Sequence, residues 1–189
     1  YRMTVADQRL LSDITGTVNT TTGLANVAVG TSALVVNTTG QNNVAIGLDC
    51  LQQNTVASGN VGVGRDALKQ NTTGIQNVAV GTYALDANTT NNNSTAIGFN
   101  NLSASTGAQN TGVGSYCLSS TTTGQNNVAM GHAAMQFNTT GGSNTAIGEQ
   151  ALYVNSTASS NVAIGNRALH QNTTGTNCVV VGTNSADAQ

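Results

Sequence analysis

The tract Asn26-Val27-Ala28-Val29-Gly30 returns along the whole chain, and its glycine recurs at Gly30, Gly47, Gly64, Gly81, Gly98, Gly114, Gly131, Gly148, Gly165 and Gly182. The interval is 17 residues at every step except Gly98 to Gly114, which is 16, the missing residue falling between Leu102 and Gly107. A fixed period this short describes stacked units, each burying its apolar side chains against its neighbours rather than around one centre. A strand–helix unit of the βαβ kind needs about 30 residues, so one period is too short to hold one.

The consensus Asn-Val-Ala-Ile-Gly-x-x-Ala-Leu-x-x-Asn-Thr-Thr-Gly-x-x predicts a coil of two short strands and two turns. Val44-Ala45-Ile46 reads as a strand, with Gly47 placed where a turn needs positive φ. Pairs such as Ala33-Leu34 and Ala67-Leu68 open a second apolar stretch, and Asn37-Thr38-Thr39-Gly40 supplies a second turn suited to left-handed backbone. The expected architecture is all-β: a parallel β-solenoid of about ten coils over residues 21–182. At about 4.8 Å per coil the rod would be about 48 Å long. Stacking aligns Asn26, Asn43, Asn60, Asn77, Asn110, Asn127, Asn144 and Asn161 in one candidate amide ladder. Asn37, Asn54, Asn71, Asn88, Asn138, Asn155 and Asn172 form a second.

Alternation within the strand puts Val27 and Val29 on one side and Ala28 on the other. The Ala28 column continues as Ala45, Gly62, Ala79, Ala96, Gly112, Ala129, Ala146, Ala163 and Val180, without a polar residue. With Val and Ile taken as the core side, the small apolar column faces outward. Its lack of Thr, Lys or Ser then predicts cover by a strand of a partner chain around an axis.

Residues 1–20 lie outside the repeat. Arg2, Asp7, Arg9 and Asp13 stand beside Val5, Leu10, Leu11 and Ile14 there, as expected of a cap or connector on an exposed solenoid end. Residues 183–189 read as a tail or a junction to a missing module.

Charged residues make up 6% of the chain, against about 25% in an ordinary soluble domain. The net charge of −2 gives no electrostatic basis for nucleic-acid binding. Uncharged apolar runs fall far short of the roughly 18 residues of a membrane span. Cys50 and Cys117 occupy a slot that is otherwise mostly Ala and read as buried small residues. Coil spacing holds them about 19 Å apart, beyond disulfide or metal bridging. No nucleophile, histidine and acid recur as a compact set, so no catalytic residue, cofactor or metal site is expected, and the chain does not read as an enzyme. Gly62-Val63-Gly64 and Gly112-Val113-Gly114 lack the third glycine and the helix of a dinucleotide loop.

Within the repeats, charge and aromatic rings keep to a few slots after the glycine, which are therefore taken as the outward, variable arcs. Asp49, Arg65, Asp66, Glu149 and Arg167 lie one or two positions on, and Lys69 and Asp86 five on. Tyr83, Phe99, Tyr116, Phe137, Tyr153 and His132 are the candidate surface-binding residues, able to stack on sugar rings; in the sequence they are scattered over different coils. Asn-x-Thr sequons begin at Asn37, Asn71, Asn88, Asn138, Asn155 and Asn172, with a further one at Asn19. They are possible glycosylation sites, or turn chemistry matching the pattern. The near-continuous threonine column beginning at Thr38 also raises an ice-binding solenoid as an alternative.

The repeated Asn-Thr-Thr-Gly-x-x-Asn-Val-Ala-Ile-Gly-x-x-Ala-Leu resembles the repeats of phage and viral tail-fibre-like proteins. It is also similar to the head repeats of trimeric autotransporter adhesins, whose unit is shorter. The resemblance implies a left-handed parallel β-roll assembled as a homotrimer, located on a virion fibre or cell surface. It implies a structural and adhesive rod whose partners are its own copies and a host surface receptor or glycan. A purely structural extracellular filament subunit is the other class of function kept open.

Overall fold

The computed structural model describes residues 23–186. The expected cap at 1–20, the Asn19 sequon and the end of the C-terminal junction lie outside them. Each repeat contributes one three-residue strand, from β1 (Val27–Val29) and β2 (Val44–Ile46) through β3 (Val61–Val63), β4 (Val78–Val80), β5 (Thr95–Ile97), β6 (Thr111–Val113), β7 (Val128–Met130), β8 (Thr145–Ile147) and β9 (Val162–Ile164) to β10 (Val179–Val181). The ten strands form a single parallel sheet in chain order, and no helix occurs among the described residues. Equivalent residues pair in register, Ala28 with Ala45 and Val29 with Ile46. Register survives the short repeat, Thr95 pairing with Thr111. The chain is thus an all-β, parallel β-solenoid.

The coil holds one strand, not the two expected. The segment after each glycine, Thr31–Val36 in the first coil, is a run of turns. Left-handed residues recur within it, Ser32 at φ 59° and Leu34 at φ 51°, and equivalent positions repeat this in every described coil. Its amides nonetheless bond from coil to coil: Leu34 N–H donates to Cys50 C=O at 3.1 Å and Asp49 N–H to Thr31 C=O at 2.9 Å. A left-handed non-glycine residue costs about 1–2 kcal/mol, and these bonds offset it. A β-branched side chain would raise that cost, which accounts for Leu or Met, never Val or Ile, at Leu34, Leu51, Leu68, Leu85, Leu102, Leu118, Met135, Leu152 and Leu169. The Asn-Thr-Thr-Gly corner, expected to be left-handed, is not; the left-handed residue lies just beyond it, at Ala25, Asn42 and Gln76.

The strand is turned the opposite way from the sequence expectation. Ala45, Ala79, Ala96, Ala129, Ala146 and Ala163 are completely buried, in one cluster with the leucine column. Val27, Ile46 and Ile97 stand out from the rod, Ile46 at 39% exposure. The alanine column therefore needs no partner chain to cover it. A thin coil explains the reversal: one leucine per turn nearly fills the interior, leaving room for a methyl group opposite but not for an isopropyl group. Gly47, at φ 137°, has no room at all; a Cβ there would lie 2.4 Å from the carbonyl oxygen of Gly64.

Both asparagine columns are buried ladders. In the first, Asn43 accepts from the backbone N–H of Asn60 at 2.9 Å and donates to the carbonyl of Ala57 at 2.8 Å. In the second, Asn54 donates to Asn37 Oδ1 at 3.0 Å, Asn71 to Asn54 at 3.1 Å and Asn88 to Asn71 at 2.9 Å. Buried amides are tolerated only when bonded, and here each repeat supplies the partner of the next. Ser94 interrupts the first ladder and Ser105 and Thr121 the second, around the 16-residue repeat.

Candidate interaction surface

Three longitudinal faces follow from this coil. The strand face carries two outward columns. One runs Val29, Ile46, Val63, Val80, Ile97, Val113, Met130, Ile147, Ile164, Val181 with no polar residue. The other, starting at Val27, is Val except for Thr95, Thr111 and Thr145. The corner face, through Thr38 and Gln41, is uncharged and mostly polar, with Val56 and Ile75 exposed on it. Between the two lies the arc after the glycine, where all the charge of the repeats is found.

On that arc the rings that looked scattered are brought together. Tyr83 packs edge-on against Phe99 with centroids 6.2 Å apart, Phe99 against Tyr116 at 5.3 Å, and Tyr116 against His132 at 6.2 Å. They alternate between the two slots after the glycine, Tyr83 and Tyr116 in the second, Phe99 and His132 in the first. The remaining slots of these coils hold Thr82, Asn100 and Ser115, with Ala133 beside His132. Phe99 is 43% exposed. The guanidinium of Arg65 lies over Tyr83, 4.7 Å from its centroid, and closes one end of the row.

Beyond Arg65 the row passes into an ionic cluster. Arg65 Nε meets Asp66 Oδ2 at 3.1 Å, while Lys69 Nζ reaches Asp66 at 2.8 Å and Asp49 at 3.3 Å. The hydrogen bond to Asp66 raises the Lys69 pKa, with Asp49 adding to it. Asp86, on the next coil, is pushed above the usual carboxylate range by burial and then by the charge of Asp66, with Lys69 opposing. The cluster neutralises itself, which suits a scaffold rather than an activated acid or base.

Phe137 and Tyr153 form a second group, 5.0 Å apart, and Tyr153 stacks nearly parallel on His170. His170 is only 8% exposed and spends a face on Tyr153, whereas Phe137 meets Tyr153 edge-on and stays exposed. The sequon asparagines Asn37, Asn71, Asn88, Asn138, Asn155 and Asn172 all sit inside the rod, their Nδ2 atoms donating to ladder or turn carbonyls. Threonine hydroxyls of the corner column point their protons back to the rod, Thr72 to Thr89 C=O at 3.0 Å and Thr139 to Ser156 C=O at 2.8 Å. Cys50, Cys117 and Cys178 are free thiols, and no group of His, Cys, Asp and Glu able to hold a metal occurs among the described residues. Among the described residues no helix is long and apolar enough to cross a membrane.

Sequence reasoning missed two parts of this surface. The outward turn of the Val and Ile columns is signalled by Thr95, Thr111 and Thr145, since threonine replaces valine readily only where water or a polar rim is near. The position of Arg65 against Tyr83 follows from coil stacking alone. The fold and these surfaces define a parallel β-solenoid repeat protein. No protein-family model, curated protein or solved structure matches the chain.

Proposed function

We propose that this chain is the shaft of an extracellular fibre, a homotrimeric, left-handed rod carried on a virion or cell surface, whose variable arcs attach to a host surface. The observation that supports this reading is the strand face. Ten strands present two apolar columns outward, about 43 Å long at about 4.8 Å per strand, with no charged residue among them. Monomers in water rarely keep a continuous apolar strip of that length. The occupant that fits is another copy of the same face, because the strip is uniform along its length and a copy in parallel register meets it with the same Val, Ile and Met throughout. The strip is also only two columns wide, so three copies around an axis enclose it more fully than two broad layers would.

Sedimentation or native mass measurement of the rod tests the assembly. Three chains are expected, and a stable monomer at micromolar concentration sinks it. Ile97→Lys, on a side chain that is exposed in the single chain, is expected to disperse the trimer without unfolding the coil. Attachment is tested by binding of labelled rod to a panel of bacterial and eukaryotic cells; absence of binding to all of them leaves a purely structural filament.

A further inference from the structure

From the zigzag of rings on the arc we infer a binding platform for a neutral, linear polysaccharide lying along the rod axis, seated on Tyr83, Phe99, Tyr116 and His132. The inference rests on the attachment reading and gives it a ligand class. Pyranose rings carry an apolar C–H face that packs on aromatic side chains and a rim of hydroxyls that must keep hydrogen bonds. This surface supplies both in alternation. Successive rings are 5.3 to 6.2 Å apart, while Thr82, Asn100 and Ser115 occupy the complementary slots as donors and acceptors.

A chain rather than a single sugar is indicated because the row covers three coil steps, about 14 Å at about 4.8 Å each. Its ends are defined: Arg65 covers Tyr83 at one, and Glu149 follows His132 at the other. Neutrality follows from charge. Arg65 and Lys69 are already matched by Asp66 and Asp49, with Asp86 adjacent, so no free cation is offered to a carboxylated or sulfated chain. The edge-to-face packing also fixes the rings before a ligand arrives, which lowers the ordering cost of binding. Phe137, Tyr153 and His170 do not offer an equivalent platform, since Tyr153 and His170 already stack on each other.

The test uses the assembled rod in affinity electrophoresis through gels containing a soluble β-glucan, a galactomannan, dextran or, as the acidic control, alginate. Retardation by at least one neutral polysaccharide is expected, insensitive to salt, with none by alginate. Phe99→Ala combined with Tyr116→Ala is expected to weaken it by about tenfold or more, equivalent to ~1.4 kcal/mol per factor of ten. Phe137→Ala is expected to leave it unchanged. Retardation by alginate alone, no retardation by any neutral polymer, or equal retardation of the double variant overturns the platform. So does dissociation of the double variant to monomers, which would assign the rings to assembly. If the rod still binds cells when the platform fails, the attachment reading stands without it.

Discussion

Cys50 and Gly62 share one volume. A Cβ built on Gly62 would lie 2.5 Å from Cys50 Sγ, so the strand residue that is alanine in most coils is glycine here, whereas Cys117 turns its Sγ to the carbonyl of Ala129 at 3.2 Å and leaves that alanine in place. Asn101 and Gly112 repeat the relationship, with a Cβ on Gly112 only 2.2 Å from Asn101 Oδ1. Gly62→Ala is expected to destabilise the rod by about 1–3 kcal/mol through overpacking. Cys50→Ala in the same chain is expected to restore most of it, and a double-mutant cycle by urea unfolding measures the coupling. Additive effects would show that the two positions do not share space.

Leu85 and Ile46 separate the interior from the assembly face. Leu85 is fully buried, and Leu85→Ala is expected to cost about 2–5 kcal/mol at any protein concentration. Ile46 faces outward, so Ile46→Ala is expected to cost little in an isolated chain and to show its loss only where copies associate. Unfolding midpoints measured across a hundredfold range of concentration distinguish the two, since only association couples stability to mass action.

The second asparagine ladder is expected to be intolerant of modification. Asn71 Nδ2 donates to both Asn54 Oδ1 at 3.1 Å and the Gly74 carbonyl at 2.9 Å. Asn71→Ala leaves buried acceptors unpaired and should cost about 1–3 kcal/mol. A glycan at Asn71 would remove one donated proton and place a sugar inside the coil. The folded rod recovered from a glycosylating host is therefore expected to carry no sugar at Asn71, which peptide mass mapping checks.

Cys50 and Cys117 are expected to be inert. Burial pushes both thiols up to about 12, so almost no thiolate forms near neutral pH, and neither is open to a reagent. Cys178 is partly exposed. A thiol reagent applied to native rod should label Cys178 alone, and all three cysteines only after denaturation. Rapid native labelling of Cys117 would contradict the closed coil.

Asp86 should make the rod's stability fall as pH rises. Its folded pKa is raised above the ordinary value of 3.8, first by burial and then by Asp66, so the folded state holds the proton more tightly than the unfolded chain does. Stability from this group is complete below that value and is lost as pH climbs through the raised one. Its Oδ1 is also buried without a hydrogen-bond partner. Asp86→Asn is accordingly expected to raise the unfolding midpoint at pH 7 and to change it little at pH 3. An equal gain at both would assign the effect to packing.

Much of the architecture could be read from the chain alone. The recurring glycine set the coil length and the in-register stacking of Val, Ala, Asn and Leu columns, because a 17-residue unit has no other way to bury its apolar side chains. The sequence signal for the left-handed positions is the absence of Val, Ile and Thr from the Leu34 and Ser32 columns.

Which side of the strand faces inward was beyond the alternation pattern, since alternation separates two faces without saying which is covered. Only the closed coil decided it: a leucine and an alanine fill the interior, so the larger Val and Ile go out. The tertiary structure also decided that rings 16 or 17 residues apart in sequence touch, because stacking turns one repeat length into a single strand spacing. A solenoid's period is written in its sequence, whereas side-chain neighbours across coils exist only once the coils are laid on one another.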